Sequence, residues 1–129
     1  MSKLLLILCL SIALLCTHSS AYTIMDDAWI IHDIDIEHAF VYHNNITIYH
    51  TIGTDNSFWI PDTRILNGSV LLHNHVKGYE EGFSYKDMRL AHNSGVSRMV
   101  LSTNRGIWVA DKPFTQWNFS AWESIYSTK

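Results

Sequence analysis

The chain has 129 residues, 47% of them hydrophobic and 16% charged, with a formal net charge of -3. That length bounds it to one domain, and the apolar content excludes a wholly disordered chain. The acidic balance, with no cluster of Lys or Arg, excludes a nucleic-acid binder living on phosphate contacts.

In chain order, Lys3 gives a short positive start, residues 4–16 (LLLILCLSIALLC) form an apolar run, and Ser19-Ser20-Ala21 offers small residues where a signal peptidase cuts. This is the layout of a secretory signal peptide over residues 1–21. The apolar run is shorter than the roughly 20 residues a membrane span needs, so no stable span is expected after cleavage. The expected product is a secreted or extracytoplasmic domain over residues 22–129. Cys9 and Cys16, the only cysteines, leave with the signal peptide. The remainder can form neither a disulfide nor a thiolate metal site, and it cannot be a cysteine hydrolase. Three sequons, at Asn45, Asn67 and Asn118, would accept glycans in a host that glycosylates.

Residues 26–31 (DDAWII) read as a short helix with acids in its first turn. Residues 36–43 (IEHAFVYH) and 46–52 (ITIYHTI) read as two strands of a hairpin around Asn44-Asn45. Residues 57–60 suggest a short strand stopped by Pro61, and residues 62–66 a single helical turn. Residues 69–73 (SVLLH) form an apolar strand, followed by a polar loop over residues 74–83. Ser84 starts a helix that Gly95 ends. Residues 98–102 and 106–110 are two more strands around Asn104-Arg105-Gly106. The aromatics Phe114, Trp117, Trp122 and Tyr126 suggest a final amphipathic helix. The fold class expected is α/β (α+β), a small mixed sheet flanked by helices.

The candidate chemistry starts at His73-Asn74-His75. On a strand, residues two apart point to the same face, so both imidazoles can reach one metal ion. Alone, such a pair is also what two solvent-facing histidines at a strand end look like. Ser84-Tyr85-Lys86-Asp87 is first of all a capping box. A helix starting at Ser84 can nonetheless aim Asp87 back at the histidines. Two neutral imidazoles and one carboxylate leave a fourth zinc position open, the form of a catalytic site. Hydrolysis there needs a general base, for which Asp33, Asp35 and Glu37 are the upstream candidates. Glu37 stands out because it lies in a segment that otherwise reads as an apolar strand. Of the other histidines, His38 should face away from Glu37, His43 and His50 flank the hairpin turn, and His32 and His92 have no evident partners. The letters H-N-H at 73–75 do not make an HNH nuclease, whose named residues are not consecutive.

The combination resembles the JAMM (JAB, or MPN-plus) zinc metalloprotease family, in particular its small bacterial and phage-type members. The resemblance runs from Ile36 to about Pro113. It rests on Glu37-His38-Ala39, on Gly68-Ser69-Val70-Leu71-Leu72-His73-Asn74-His75, and on Phe83-Ser84-Tyr85-Lys86-Asp87. It implies a JAB/MPN, cytidine-deaminase-like architecture with one zinc ion on His73, His75 and Asp87. It further implies that Glu37 takes the proton of the attacking water and that Ser84 stabilises the oxyanion. The expected function is therefore an exported zinc-dependent metallopeptidase or isopeptidase acting on a peptide or protein. The alternatives are a catalytically silent JAMM-like binding or scaffold domain and a secreted zinc-binding protein. Two features depart from the family pattern: Val76 stands where Pro is usual, and the loop to Ser84 is one residue longer.

Overall fold

A computed structural model describes residues 24–114 and, for the backbone, 124–127. The expected signal peptide, the sequon at Asn118 and residues 115–123 of the expected final helix lie outside the described residues. Two helices, α1 (Ile24–Ile30) and α2 (Tyr85–Ser94), accompany six strands: β1 (His38–His43), β2 (Ile46–Ile52), β3 (Val70–Asn74), β4 (Arg98–Thr103), β5 (Gly106–Asp111) and β6 (Ser124–Ser127). The strand order is β2-β1-β3-β4-β5-β6. β3 and β4 pair in parallel and the other neighbours antiparallel, so the sheet is mixed, as expected.

Alternation along the strands distributes the core to both faces. Ala39 and Val41 of β1, Leu71 of β3 and Met99 of β4 turn to one side, where they pack with Ala91 of α2, Leu66, Val96 and Phe114. Tyr42, Leu72, Val100 and Ile107 turn to the other, where Ala28 of α1 and Ile31 cover them. Ser102 Oγ fixes α1 to the sheet by donating to the Ala28 carbonyl at 2.6 Å. The result is a layer of helix on each face of one sheet.

The hairpin turn places Asn44 and Asn45 at φ 51° and 63°, left-handed conformations that Asn tolerates better than most residues. A 3-10 turn over Thr63–Leu66 realises the expected helical turn, with Asp62 as its N-cap. α2 begins at Ser84 and ends at Gly95, whose φ of 74° suits a left-handed C-cap. Parallel strands require a crossover, and α2 supplies it between β3 and β4.

Two expectations change. Residues 57–60 form no strand. Their backbone instead closes a turn in which the Thr54 N–H donates to the Ser57 carbonyl at 2.7 Å. At the carboxyl end, Ser124–Ser127 is a strand rather than the end of a helix, pairing antiparallel with β5. The aromatic spacing fits either period, and the open backbone edge of β5 favours pairing. No helix among the described residues is long and apolar enough to cross a membrane.

Candidate metal centre

The register between β1 and β3 builds the site. Ala39 stands opposite His73 in an antiparallel pair. Two residues further along each chain, Glu37 lies just before β1 and His75 just after β3, and both stand by His73 on that side of the sheet. It is also the face α2 covers, so Asp87 in the first turn of α2 meets the imidazoles directly. The site lies at the carboxyl end of β3 and the amino end of α2, where open α/β sheets commonly hold ligands.

His73, His75 and Asp87 are all buried, and one ligand atom from each lies within 4.8 Å of the others. His73 Nε2 is 2.9 Å from Asp87 Oδ1, and His75 Nε2 is 3.1 Å from Asp87 Oδ2. The capping box seen in the sequence is present and holds the carboxylate in place. The Ser84 N–H donates to Asp87 Oδ2 at 2.9 Å, and the Asp87 N–H donates to Ser84 Oγ at 3.1 Å. Capping and ligand geometry thus use the same side chain.

The tautomers point the same way. His75 Nδ1 lies 2.8 Å from the Glu80 carbonyl, which can only accept, so Nδ1 carries the proton. In the neutral ring the Nε2 lone pair then faces the site, as in a metal-ligating histidine oriented by a backbone carbonyl. His73 is fully buried and neither of its ring nitrogens has a hydrogen-bond partner among the described residues. Its Nε2 is near Asp87 Oδ1 without hydrogen-bond alignment. An orphaned buried nitrogen costs roughly 1–3 kcal/mol, and a cation among the three groups would relieve it. Two imidazoles and a carboxylate converge their ligand-capable atoms in one buried spot, so the residues present fit a metal ion.

Proton binding to the metal-free site reflects the same crowding. Burial works to raise the Asp87 carboxyl, but the adjacent His73 and His75 outweigh it and hold it well below the usual carboxylate range. Burial works to lower His75, and its contact with Asp87 reverses the sign and raises it.

Glu37 lies just before β1, and only 5% of it is exposed. Burial raises its carboxyl above the ordinary value, offset in part by the neighbouring His73 and His75. Asp33 and Asp35, the other candidate bases, are exposed on the preceding turn. The Glu37 N–H donates to the Thr54 carbonyl at 2.7 Å, and its carbonyl accepts from the Gly53 N–H at 2.8 Å. A Cβ on Gly53 would lie 1.9 Å from the Ser57 carbonyl oxygen, so only glycine allows this close approach.

The surroundings close over the ligands. The Phe58 ring lies 5.1 Å from His73, centroid to centroid. The loop after His75 is tied down by side chains. Tyr79 Oη donates to Asp55 Oδ2 at 2.8 Å, and Arg105 pairs with Glu81 at 2.8 Å. His38 faces away from the site, as expected, and its Nδ1 meets His50 Nε2 at 3.0 Å, while His50 stacks on Phe40 at 4.0 Å. His32 and His92 contact backbone carbonyls, those of Trp29 and Phe114.

Sequence reasoning overlooked Asn74, which read as the spacer of the histidine pair. It is fully buried and bonded through both ends of its amide. A polar residue at the inner end of an apolar strand was the available signal. No family model, no curated protein and no solved structure matches the chain.

Proposed function

We propose that the protein is an exported zinc-dependent metallopeptidase or isopeptidase of the JAMM type, with a JAB/MPN architecture. The observation that carries this reading is a buried acid, Glu37, set beside a buried His-His-Asp group on one face of the sheet. A site that only sequestered metal would gain nothing from a fourth, uncoordinated carboxyl desolvated at its edge. Zinc is the ion the donor set favours, since two imidazoles and one carboxylate with an open position is a common catalytic zinc arrangement.

His73, His75 and Asp87 would hold the ion. The chemistry a bound zinc supplies is Lewis acidity, which lowers the pKa of an adjacent water toward ~7 and polarises a carbonyl. Glu37 takes one proton from the attacking water as the oxygen–carbon bond forms. Its raised pKa suits a group that must accept a proton and then release it near neutral pH. As the carbon–nitrogen bond breaks, Glu37 returns that proton to the leaving amine. Ser84 Oγ already accepts the Asp87 N–H, so its own hydroxyl proton is left to donate to the developing oxyanion. Export is proposed from residues 1–21, and the substrate is a peptide or protein outside the cytoplasm.

A peptide-library digest tests the reading, with zinc-loaded wild type beside zinc-loaded Glu37→Gln and a chelated control. Cleavage by the wild type that vanishes with chelation and falls roughly 10²–10⁴-fold in Glu37→Gln supports it. Identical digests from the two zinc-loaded proteins, whether both cleave or neither does, would overturn it.

A further inference from the structure

We propose that Asn74 is a positioning residue that fixes the Glu37 carboxyl relative to the metal ligands. The proposal rests on the hydrolase reading and adds to it a residue that touches neither metal nor substrate.

The argument starts from the ladder. Backbone pairing between β1 and β3 ends at Ala39 and His73. Beyond that rung no β1–β3 pair is formed, and the chain around Glu37 has no backbone partner in β3. The Asn74 side chain replaces it. Its Oδ1 accepts the His38 N–H at 2.6 Å, and its Nδ2 donates to the Ile36 carbonyl at 3.0 Å. These two groups flank Glu37 in the chain. On the opposite edge, Glu37's own N–H and carbonyl are held by Thr54 and Gly53. Every backbone polar group from the Ile36 carbonyl to the His38 N–H is therefore engaged. The peptide planes on either side of Glu37 have no free rotation, so its Cα–Cβ direction is set.

Asn74 also sits between His73 and His75 in sequence. Because adjacent strand residues point to opposite faces, it leaves the metal side to them. One residue thus links the position of the base to the positions of two ligands. A shorter side chain would not span the gap, a longer one would not fit, and an acid would lack the donor for Ile36. Placement of reacting groups is worth up to about 10²-fold in rate for an error near 1 Å.

A double-mutant cycle tests the assignment, using zinc-loaded full-length protein with Asn74→Ala, the isosteric Asn74→Asp, Glu37→Gln and the combined variants. Should Asn74→Ala fail to fold, the Asp variant, which keeps the side chain's volume, carries the test. The expected result is unchanged zinc stoichiometry and kcat lowered roughly 10–100-fold at nearly constant KM in both variants, with faster exchange of the His38 amide in Asn74→Ala alone, because Asp keeps the oxygen that accepts it and loses only the donor to Ile36. In the Glu37→Gln background the same change should cost nothing further, because the group being positioned is already disabled. An equal loss in both backgrounds, or loss of zinc, would mean a general structural role and would overturn the proposal alone. A zinc-loaded wild type that cleaves no peptide would overturn the hydrolase reading and this role together.

Discussion

Asp87→Asn keeps the shape of the side chain and removes its charge. The amide oxygen can still accept the Ser84 N–H, which Asp87 Oδ2 accepts at 2.9 Å. The capping box, worth about 1 kcal/mol, therefore stays largely in place. What changes is the charge facing His73 Nε2 at 2.9 Å and His75 Nε2 at 3.1 Å. In metal-free protein below about pH 6, His75 is protonated because Asp87 raises it. There the substitution removes a charge-assisted contact, worth about 1.5–3 kcal/mol. As pH rises through its folded value His75 loses that proton, and the carboxylate, 6% exposed, remains buried with no protonated His75 opposite. Neutralising it should then cost less than ~0.5 kcal/mol or stabilise the fold. Urea unfolding in chelator at pH 5.5 and pH 9 reads the difference. With a slope of about 1–3 kcal/mol/M, the variant's midpoint should fall by about 1 M at the lower pH and hardly move at the higher. An equal loss at both values, or a larger one at pH 9, would refute the reasoning.

The remaining predictions concern pH, a glycine and the core. Stability from the raised His75 is fully present below the unfolded imidazole value near ~6.5 and is lost as pH rises through its folded value. Stability from the lowered Asp87 is fully present above ~3.9 and is lost progressively as pH falls below that toward its folded value. Metal-free protein should thus lose thermal stability from about pH 6 upward, whereas metal affinity, measured by competitive titration, should rise over the same range as protons leave. Gly53→Ala should displace the Ser57 carbonyl and the Glu37 pairing, lowering both melting temperature and turnover without altering metal stoichiometry; an unchanged rate would show that this edge does not hold the base. Leu71→Ala, in the core beneath the site, should cost about 2–5 kcal/mol by denaturant unfolding.

The parts of the site legible in the sequence were those set by local period and spacing. His73 and His75 had to share a face because they lie two apart on a strand, and Ser84 with Asp87 announced a helix start. The three-dimensional step was the register of β1 on β3. That register puts Glu37 on the same face as His75, and no local signal encodes which residue of one strand stands opposite which of another. Asn74 was missed for the same reason, since its partners, Ile36 and His38, are distant in sequence. The final segment misled because its aromatics suit a helix as well as a strand, and the edge of β5 that recruits Ser124–Ser127 lies elsewhere in the chain. Tyr79–Asp55 and Arg105–Glu81, which hold the loop after His75, likewise pair residues that sequence keeps apart.

The central claim is that His73, His75 and Asp87 jointly bind one metal ion. Zinc-edge X-ray absorption on purified, zinc-reconstituted protein, with the metal content of the same sample, tests it most directly. The account predicts about one zinc per chain, nitrogen and oxygen ligands at about 2.0–2.2 Å including two imidazoles, and loss of the ion in a His73→Ala/His75→Ala variant. Full occupancy in that double variant, or a wild type that holds no zinc at neutral pH, would contradict it.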